Sequence, residues 1–437
     1  MSFRIKSLTD VVDWGMCVGC GACHAACDRE AVTLVNIEAV GIRPRFVEPA
    51  CNACGSCLSF CPGYSVDGNL VVGAARKTEA EHEFGPALEI WEGYAADAEI
   101  RHRASSGGLL TALSLYCLEH EGMAFALHAG MDESKPWTNR TVQSRSRTEL
   151  LARAGSRYAP ASPCDGLRAI EESERPCVFI GKPCDAAAVS QLRRERPALD
   201  RKLGLVLTFF CAGTPSTQGT LDLLQSLEVT PDDVDAVHYR GEGWPGRFRV
   251  QPKKGTQSKS YSYMKSWSRL TKYRPFRCNL CPDGLGNLAD LACGDAWEQF
   301  QEDGDPGRSI VLVRTERGRE LLHRAIHAGY VDLKPVTPAA VLAAQKNLLE
   351  RRRELFGRLL AMRMLAVPMT RFRGFSLFHS WIRQPLGVMA RSVLGTLRRV
   401  VLRGLWCRRP LFRPGAALPA VTSARSCPTV ANSKVGS

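Results

Sequence analysis

Two identical cysteine runs near the start of the chain constrain it more than any other feature. Cys17, Cys20, Cys23 and Cys27 follow the spacing C-x2-C-x2-C-x3-C, and Cys51, Cys54, Cys57 and Cys61 repeat it, with Pro62 after the last. Three cysteines at steps of three wrap a loop around one face of a cubane 4Fe–4S cluster. A fourth, placed after a short helical turn, points away and ligates the other cluster. One cluster is therefore expected on Cys17, Cys20, Cys23 and Cys61, and a second on Cys51, Cys54, Cys57 and Cys27. Gly19, Gly21 and Gly55 let the backbone bend tightly and aim N–H groups at sulfur. Zinc needs four ligands per site and pairs a CxxC with a distant CxxC or with histidines, which two complete runs do not do. A disulfide framework fits less well still. The opening residues, MSFRIKSLTDVVDWGMCVGC, carry no secretory pattern, so a reducing, cytoplasmic setting is expected, in which 18 cysteines serve metal rather than disulfides.

Length and charge bound the rest. A chain of 437 residues, 45% of them apolar, suits two or three domains with a sizeable core. No stretch approaches the length of a membrane-spanning apolar run. The net charge of +14 is unevenly placed. From Gln345 to Ser437 there are 18 Lys+Arg against Glu350 and Glu354, a balance of +16, so the remainder carries −2. A near-neutral body thus bears a strongly basic tail, which argues for an acidic partner of the tail alone.

Residues 1–75 are expected to form a small domain held together by its metal. They resemble the two-cluster bacterial ferredoxins, with Asp28 standing where proline often follows the first run. Residues 76–93 are charged and read as a linker. Over 94–341, short apolar β-type runs alternate with helical patterns, giving an α/β (α+β) domain. LLTALSLYCLEHEG, after Ser105-Ser106-Gly107-Gly108, reads as a helix; PCVFIGKPC, LGLVLTFFCAG and SIVLVRT read as buried strands. Residues 342–437 read as a basic, amphipathic and partly disordered tail. A ferredoxin-like domain conducts electrons but makes no bonds. Its presence on a larger chain therefore implies a redox site within that chain, most economically a flavin.

The string Gly241-Glu-Gly243-Trp-Pro-Gly246 is not a dinucleotide-binding turn, because Pro245 interrupts it and the strand-like RFRV follows where a helix is needed. The Ser105–Gly108 turn before a helix is a natural anion cradle, or simply an N-cap with a glycine kink. It heads a series with GSRY (155–158), GKPC (181–184), FCAGTPS (210–216), YRGEGWPG (239–246), RCNLCPD (277–283) and LADLACGDAW (288–297). In that order and spacing the residues resemble the coenzyme F-420 hydrogenase/dehydrogenase beta-subunit family, over about half of the chain.

The resemblance implies an iron–sulfur flavoprotein. It places FAD at Ser105, Ser106, Gly107 and Gly108, with Ser156, Tyr158 and Lys182 in segments where this chain departs from the family at Arg157 and Lys182. Asp295 matches a family position; it would orient a cofactor, or merely form a turn. Cys184, Cys211, Cys278 and Cys281 lie inside the shared motifs and would hold a third 4Fe–4S cluster if they converge, the alternative being buried thiols. Cys117, Cys164, Cys177, Cys293, Cys407 and Cys427 read as ordinary thiols, and no catalytic residue is assigned.

The function expected is electron transfer between ferredoxin-type clusters and FAD, reducing or oxidising an organic substrate or a deazaflavin coenzyme. The partner would be a ferredoxin or another redox subunit. The alternatives are a non-catalytic electron-transfer subunit and a membrane-associated redox accessory of polysaccharide biosynthesis. The Arg- and aromatic-rich tail would then meet an anionic membrane surface, making the chain peripheral on the inner membrane face, or it is a docking helix with a basic end. No nucleic acid is expected, since no recognised module accompanies the charge.

Overall fold

The computed structural model describes residues 5–47, 50–70, 78–253, 257–299 and 305–412. Helix Leu8–Asp13 opens the chain, with Ser7 and Asp10 capping each other's backbone N–H groups, the reciprocal arrangement that fixes a helix start. The first cysteine run follows, with Gly19 and Gly21 at φ +69 and +90. A Cβ on Gly19 would sit 2.7 Å from the Ile42 carbonyl, so this turn admits no side chain. An antiparallel hairpin, β1 (Val32–Ile37) and β2 (Gly41–Phe46), separates the two runs. The short β3 (Ser65–Asp67) comes after the second.

The large domain begins with β4 (Glu89–Ala95), inside the segment expected to be a linker. Its charge misleads: Glu92 is buried and meets Arg308 at 3.2 Å, a partner far away in sequence. Then come β5 (Ala126–Met131), β6 (Asn139–Ser144), β7 (Cys177–Gly181) and β8 (Leu203–Phe209). A separate three-stranded antiparallel sheet holds β9 (Val234–His238), β10 (Arg247–Pro252) and β11 (Lys259–Ser262). The chain returns through β12 (Leu291–Asp295), β13 (Ser309–Val313) and β14 (Val331–Pro335). The main sheet has eight strands in the order β14-β4-β13-β12-β8-β7-β5-β6.

Within it β12, β8, β7 and β5 are parallel neighbours. β4 runs the same way, because two antiparallel steps separate it from β12. All five strands therefore end at one edge, where α/β sheets place ligands. One face packs Val178, Leu205, Leu207, Leu291 and Val311 under helices Leu109–Glu119 and Glu316–His327. On the other, Phe125, Leu127, Phe179 and Val206 pack with Cys20, Ala22, Ala25 and Phe60 of the small domain. The cluster-binding domain is thus seated on the sheet by apolar burial, about 25 cal/mol for each Å² removed from water.

The basic segment differs most from expectation. Rather than a separate tail, residues 346–412 wrap back onto the small domain. Strand β15 (Arg371–Arg373) pairs in parallel with β3, Arg408 reaches Asp13 at 2.9 Å, and Leu355, Met362, Val367 and Val400 share a core with Leu8, Val11, Met16 and Cys61. A three-residue strand with two arginines carries no local signal of such pairing. The end of the expected disordered region lies outside the described residues. No described helix is long and apolar enough to cross a membrane.

His128 on β5 gives a stability prediction. It is buried, with Nδ1 3.0 Å from the Ala129 carbonyl and Nε2 2.8 Å from Ser144 Oγ, and burial lowers its pKa to about 4. An unfolded imidazole takes up its proton near pH 6.5, so acid favours the unfolded chain. Stability present above that pH is lost as pH falls toward about 4. Between neutrality and roughly pH 5 the expected loss is about 2 kcal/mol, read as a lower denaturant midpoint that a His128→Gln chain does not share.

Candidate functional site

The first cysteine set converges as its spacing predicts. Cys17, Cys20, Cys23 and Cys61 are buried and line one cavity of about 350 Å³, floored by Leu8, Leu34 and Phe60. Burial, followed by the neighbouring Cys20, Cys17, Cys61 and Cys57 thiols, raises the pKa of Cys23. The second set lies outside. Cys51 and Cys54 are exposed, and Cys27 and Cys57 half-buried. Burial and then Cys54, Cys51 and Cys27 push Cys57 up to about 11. Cys57 also lines the inner cavity, so the two sets adjoin. Burial and mutual proximity disfavour thiolates here in the absence of a cation, and a cationic iron centre would take these groups as thiolates.

The question left open by the sequence is whether the other four motif cysteines meet. They do. Cys184 stands just beyond β7 and Cys211 just beyond β8, neighbours at the same sheet edge. Cys278 and Cys281 come from the segment before β12. All four line one cavity of about 690 Å³. Burial pushes Cys211 up to about 12, with Cys278 the next cause, and it raises Cys184 together with Asp185. Cys17 lines this cavity too. Each set therefore shares a wall residue with the next: Cys57 between outer and inner, Cys17 between inner and third.

Three arginines to which the sequence reading gives no role line the third cavity: Arg43, Arg277 and Arg351. Each is tied through its terminal nitrogens to carbonyls, Arg43 to Ile42, Arg277 to Pro62 and Arg351 to Cys211. The Nε of each is buried with no hydrogen-bond partner among the described residues. Unanswered buried cationic donors are costly. A cluster bound by four thiolates carries net negative charge, and these guanidiniums suit it. Arg277 could have been noticed inside RCNLC; Arg351, in the basic tail, gave no signal. Cys164 does more than an ordinary thiol: its N–H donates to the Cys20 carbonyl at 3.0 Å, and its thiol holds the Cys20 pKa below the ordinary value.

The expected cofactor residues occupy a second place on the sheet edge. Ser105 Oγ accepts from the Ser156 N–H at 2.5 Å. Ser106 Oγ donates to the Arg308 carbonyl and lies 2.7 Å from Ser309 Oγ, which takes the Gly107 N–H at 2.9 Å. Gly108, at φ +81, caps helix Leu109–Glu119. The turn's hydroxyls thus stitch it to the 155–158 loop and to the start of β13. Asp295, at the end of β12, receives both terminal nitrogens of buried Arg240 at 2.7 and 3.0 Å and the Trp244 indole N–H at 2.7 Å. Arg240 lies over the Tyr263 ring at 4.6 Å. Trp297 stacks on Tyr263 and leans on Trp244, centroids 5.6 and 5.0 Å apart. Tyr158 packs against Tyr239 and Trp267. Ser105, Ser106, Gly107, Gly108, Ser156, Tyr158 and Asp295 are thereby brought together.

Lys182 is placed apart from them. Its ammonium is buried on Asp185 at 2.7 Å and the Ala161 carbonyl at 2.9 Å, beside Cys184. Arg157 is likewise engaged, by Asn139 and the Val237 and Pro136 carbonyls. The Gly241–Gly246 turn leads into β10, the strand that RFRV predicts.

Comparison with known proteins bears on this arrangement. The family described as "Coenzyme F420 hydrogenase/dehydrogenase, beta subunit" is matched in two parts, its N-terminal portion by residues 90–167 and its C-terminal portion by residues 175–339. The chain belongs to this family. Residues 9–75 match a 4Fe-4S dicluster domain, so this member is an iron–sulfur protein of oxidoreductase electron transfer. The F420-dependent formate dehydrogenase subunit beta of Methanocaldococcus jannaschii is 28% identical over 256 residues, 58% of this chain and 63% of that protein. The coenzyme F420 hydrogenase subunit beta of Methanosarcina barkeri is 26% identical over 250 residues, 55% of this chain and 79% of that one. A coenzyme F420-dependent sulfite reductase of M. jannaschii is 24% identical over 371 residues, 79% of this chain but 52% of that one. This family member thus spans less than two thirds of the first and third of these relatives.

Proposed function

We propose that the chain passes electrons between its N-terminal clusters and FAD, reducing or oxidising an organic substrate or a deazaflavin coenzyme. The observation that carries this reading is the unbroken series of cysteine walls, from exposed Cys51 and Cys54, through the buried Cys17 set, to the cavity of Cys184, Cys211, Cys278 and Cys281. Loaded, the three sets would supply single-electron relay, and FAD would couple it to two-electron chemistry.

The chain's own residues have definable parts. Arg43, Arg277 and Arg351 balance thiolate charge at the third cavity, and Pro183, Pro215 and Pro275 also line it. Around Ser105, Ser106, Gly107, Gly108, Ser156, Tyr158 and Asp295, the rings of Trp244, Trp297 and Tyr263 offer aromatic faces and Arg240 a fixed positive charge. Lys182, ion-paired to Asp185, lies beside Cys184. Exposure of Cys51 and Cys54 makes the outer set the place where a ferredoxin or another redox protein exchanges electrons.

Anaerobic iron, sulfide and flavin analysis of the purified chain tests this. About twelve irons and one FAD per chain are expected; zinc in place of iron, or no flavin, overturns it. A second reading, a non-catalytic electron-transfer subunit, is favoured by the relatives described as beta subunits. Turnover of a small substrate by the isolated chain with reduced ferredoxin excludes that reading.

A further inference from the structure

Independently of that reading, we infer that helices Leu377–Ile382 and Leu386–Leu402 form a docking surface for an anionic lipid bilayer. The longer helix is turned inside out. Its inward positions Ser392, Thr396 and Val400 are buried. Ser392 Oγ accepts from the Trp381 indole at 3.0 Å and packs so closely on helix Leu355–Met364 that Gly357 there has no room for a Cβ. The outward positions carry the larger apolar groups: Leu386 and Leu402 are 82% and 72% exposed, with Leu394 and Val401 on the same side. A helix facing water has the reverse pattern.

Scattered exposed leucines are ordinary, but these are not scattered. Of the twelve large apolar side chains left exposed among the described residues, nine lie between Met364 and Trp406, including Phe378 and Ile382 of the shorter helix. The charge around them is predominantly basic, with Glu79 paired to Arg383 and Glu354 to Arg358 and, at 3.8 Å, to Arg391. From Leu355 to Phe412 there are eleven arginines and no acidic residue. On the longer helix Arg391 and Arg398 alternate with Leu394 and Val401 at helical spacing, and Arg391 is 72% exposed. Apolar side chains interleaved with arginine on one exposed face suit the boundary of an anionic bilayer, where acyl chains take the first and headgroups the second. With no described helix able to span, the chain would lie on the surface.

Flotation of the full-length holoprotein with vesicles tests this. It should float with phosphatidylglycerol-containing vesicles, less at high salt, and hardly at all with phosphatidylcholine alone. Leu394→Glu with Val401→Glu should weaken binding by at least about tenfold. Arg391→Gln with Arg398→Gln should weaken it by roughly tenfold, on anionic vesicles only. Met264→Glu, an exposed methionine elsewhere, should change nothing. Unchanged iron content in each variant establishes folding; should the glutamate pair lose iron, the glutamine pair decides. A chain ending at Phe412 should still float. The inference is overturned by absence of flotation, by equal flotation with neutral vesicles, or by its loss on removing residues 413–437. It is also overturned if, without lipid, the mass doubles in a way that Leu394→Glu abolishes, which would make a second copy the occupant.

Discussion

Cys278→Ala is expected to lower the iron content of the anaerobically purified chain from about twelve to about eight atoms. Cys293→Ala, which removes a buried thiol on β12 outside the cavity lining, should leave it at about twelve. Alanine is preferred to serine because a serine oxygen can replace a thiolate as ligand. The reasoning is geometric. Cys184, Cys211, Cys278 and Cys281 line one space, and a cubane that loses one of four ligands is no longer held. The same change strands Arg43, Arg277 and Arg351, whose buried Nε groups find no partner among the described residues. The variant should therefore also unfold at lower denaturant than the parent. Electron transfer from reduced outer clusters to the flavin should fall by orders of magnitude. Twelve irons in Cys278→Ala would remove the third site from the scheme.

The second large effect is on stability. Asp295→Ala should cost about 3–5 kcal/mol, since it leaves the Arg240 guanidinium, 3% exposed in its side chain, buried without its partner. Arg240 lies over the Tyr263 and Trp297 rings and is buried, so solvent does not replace the carboxylate. The double change Arg240→Met with Asp295→Ala should be less damaging than Asp295→Ala alone, because no orphan charge remains. Denaturant midpoints of the four chains, parent included, check this. A double variant worse than the sum of the singles would mean that the pair serves packing and not charge balance. The same residues carry the flavin proposal, so flavin content measured alongside separates a folding loss from a cofactor loss.

The local features are legible in the sequence. Both cysteine runs, the helix after Ser105–Gly108, and strands β7, β8 and β13 each rest on spacing or apolar pattern within a few residues. What escapes is non-local. β4 is hidden because Glu92 looks solvent-bound until Arg308 is brought to it. The basic segment reads as an appendage because β15 is three residues long and its partner β3 stands near the other end of the chain. Lys182 reads as a cofactor donor because nothing in GKPC reveals that Asp185, one helical turn on, neutralises it.

The cysteine spacing alone therefore identified a 4Fe-4S dicluster domain and predicted that Cys17, Cys20, Cys23 and Cys61 fall together, since a cubane's reach is set by loop geometry. The alternation of apolar β-type runs with helical patterns pointed to an α/β (α+β) domain. Only the tertiary structure decided that four further cysteines share a cavity, that Cys17 belongs to its wall, and that arginines from three distant segments surround it. Those facts depend on strand order, which places the ends of β7 and β8 side by side, and strand order is set by packing summed over the whole chain rather than by any stretch of it.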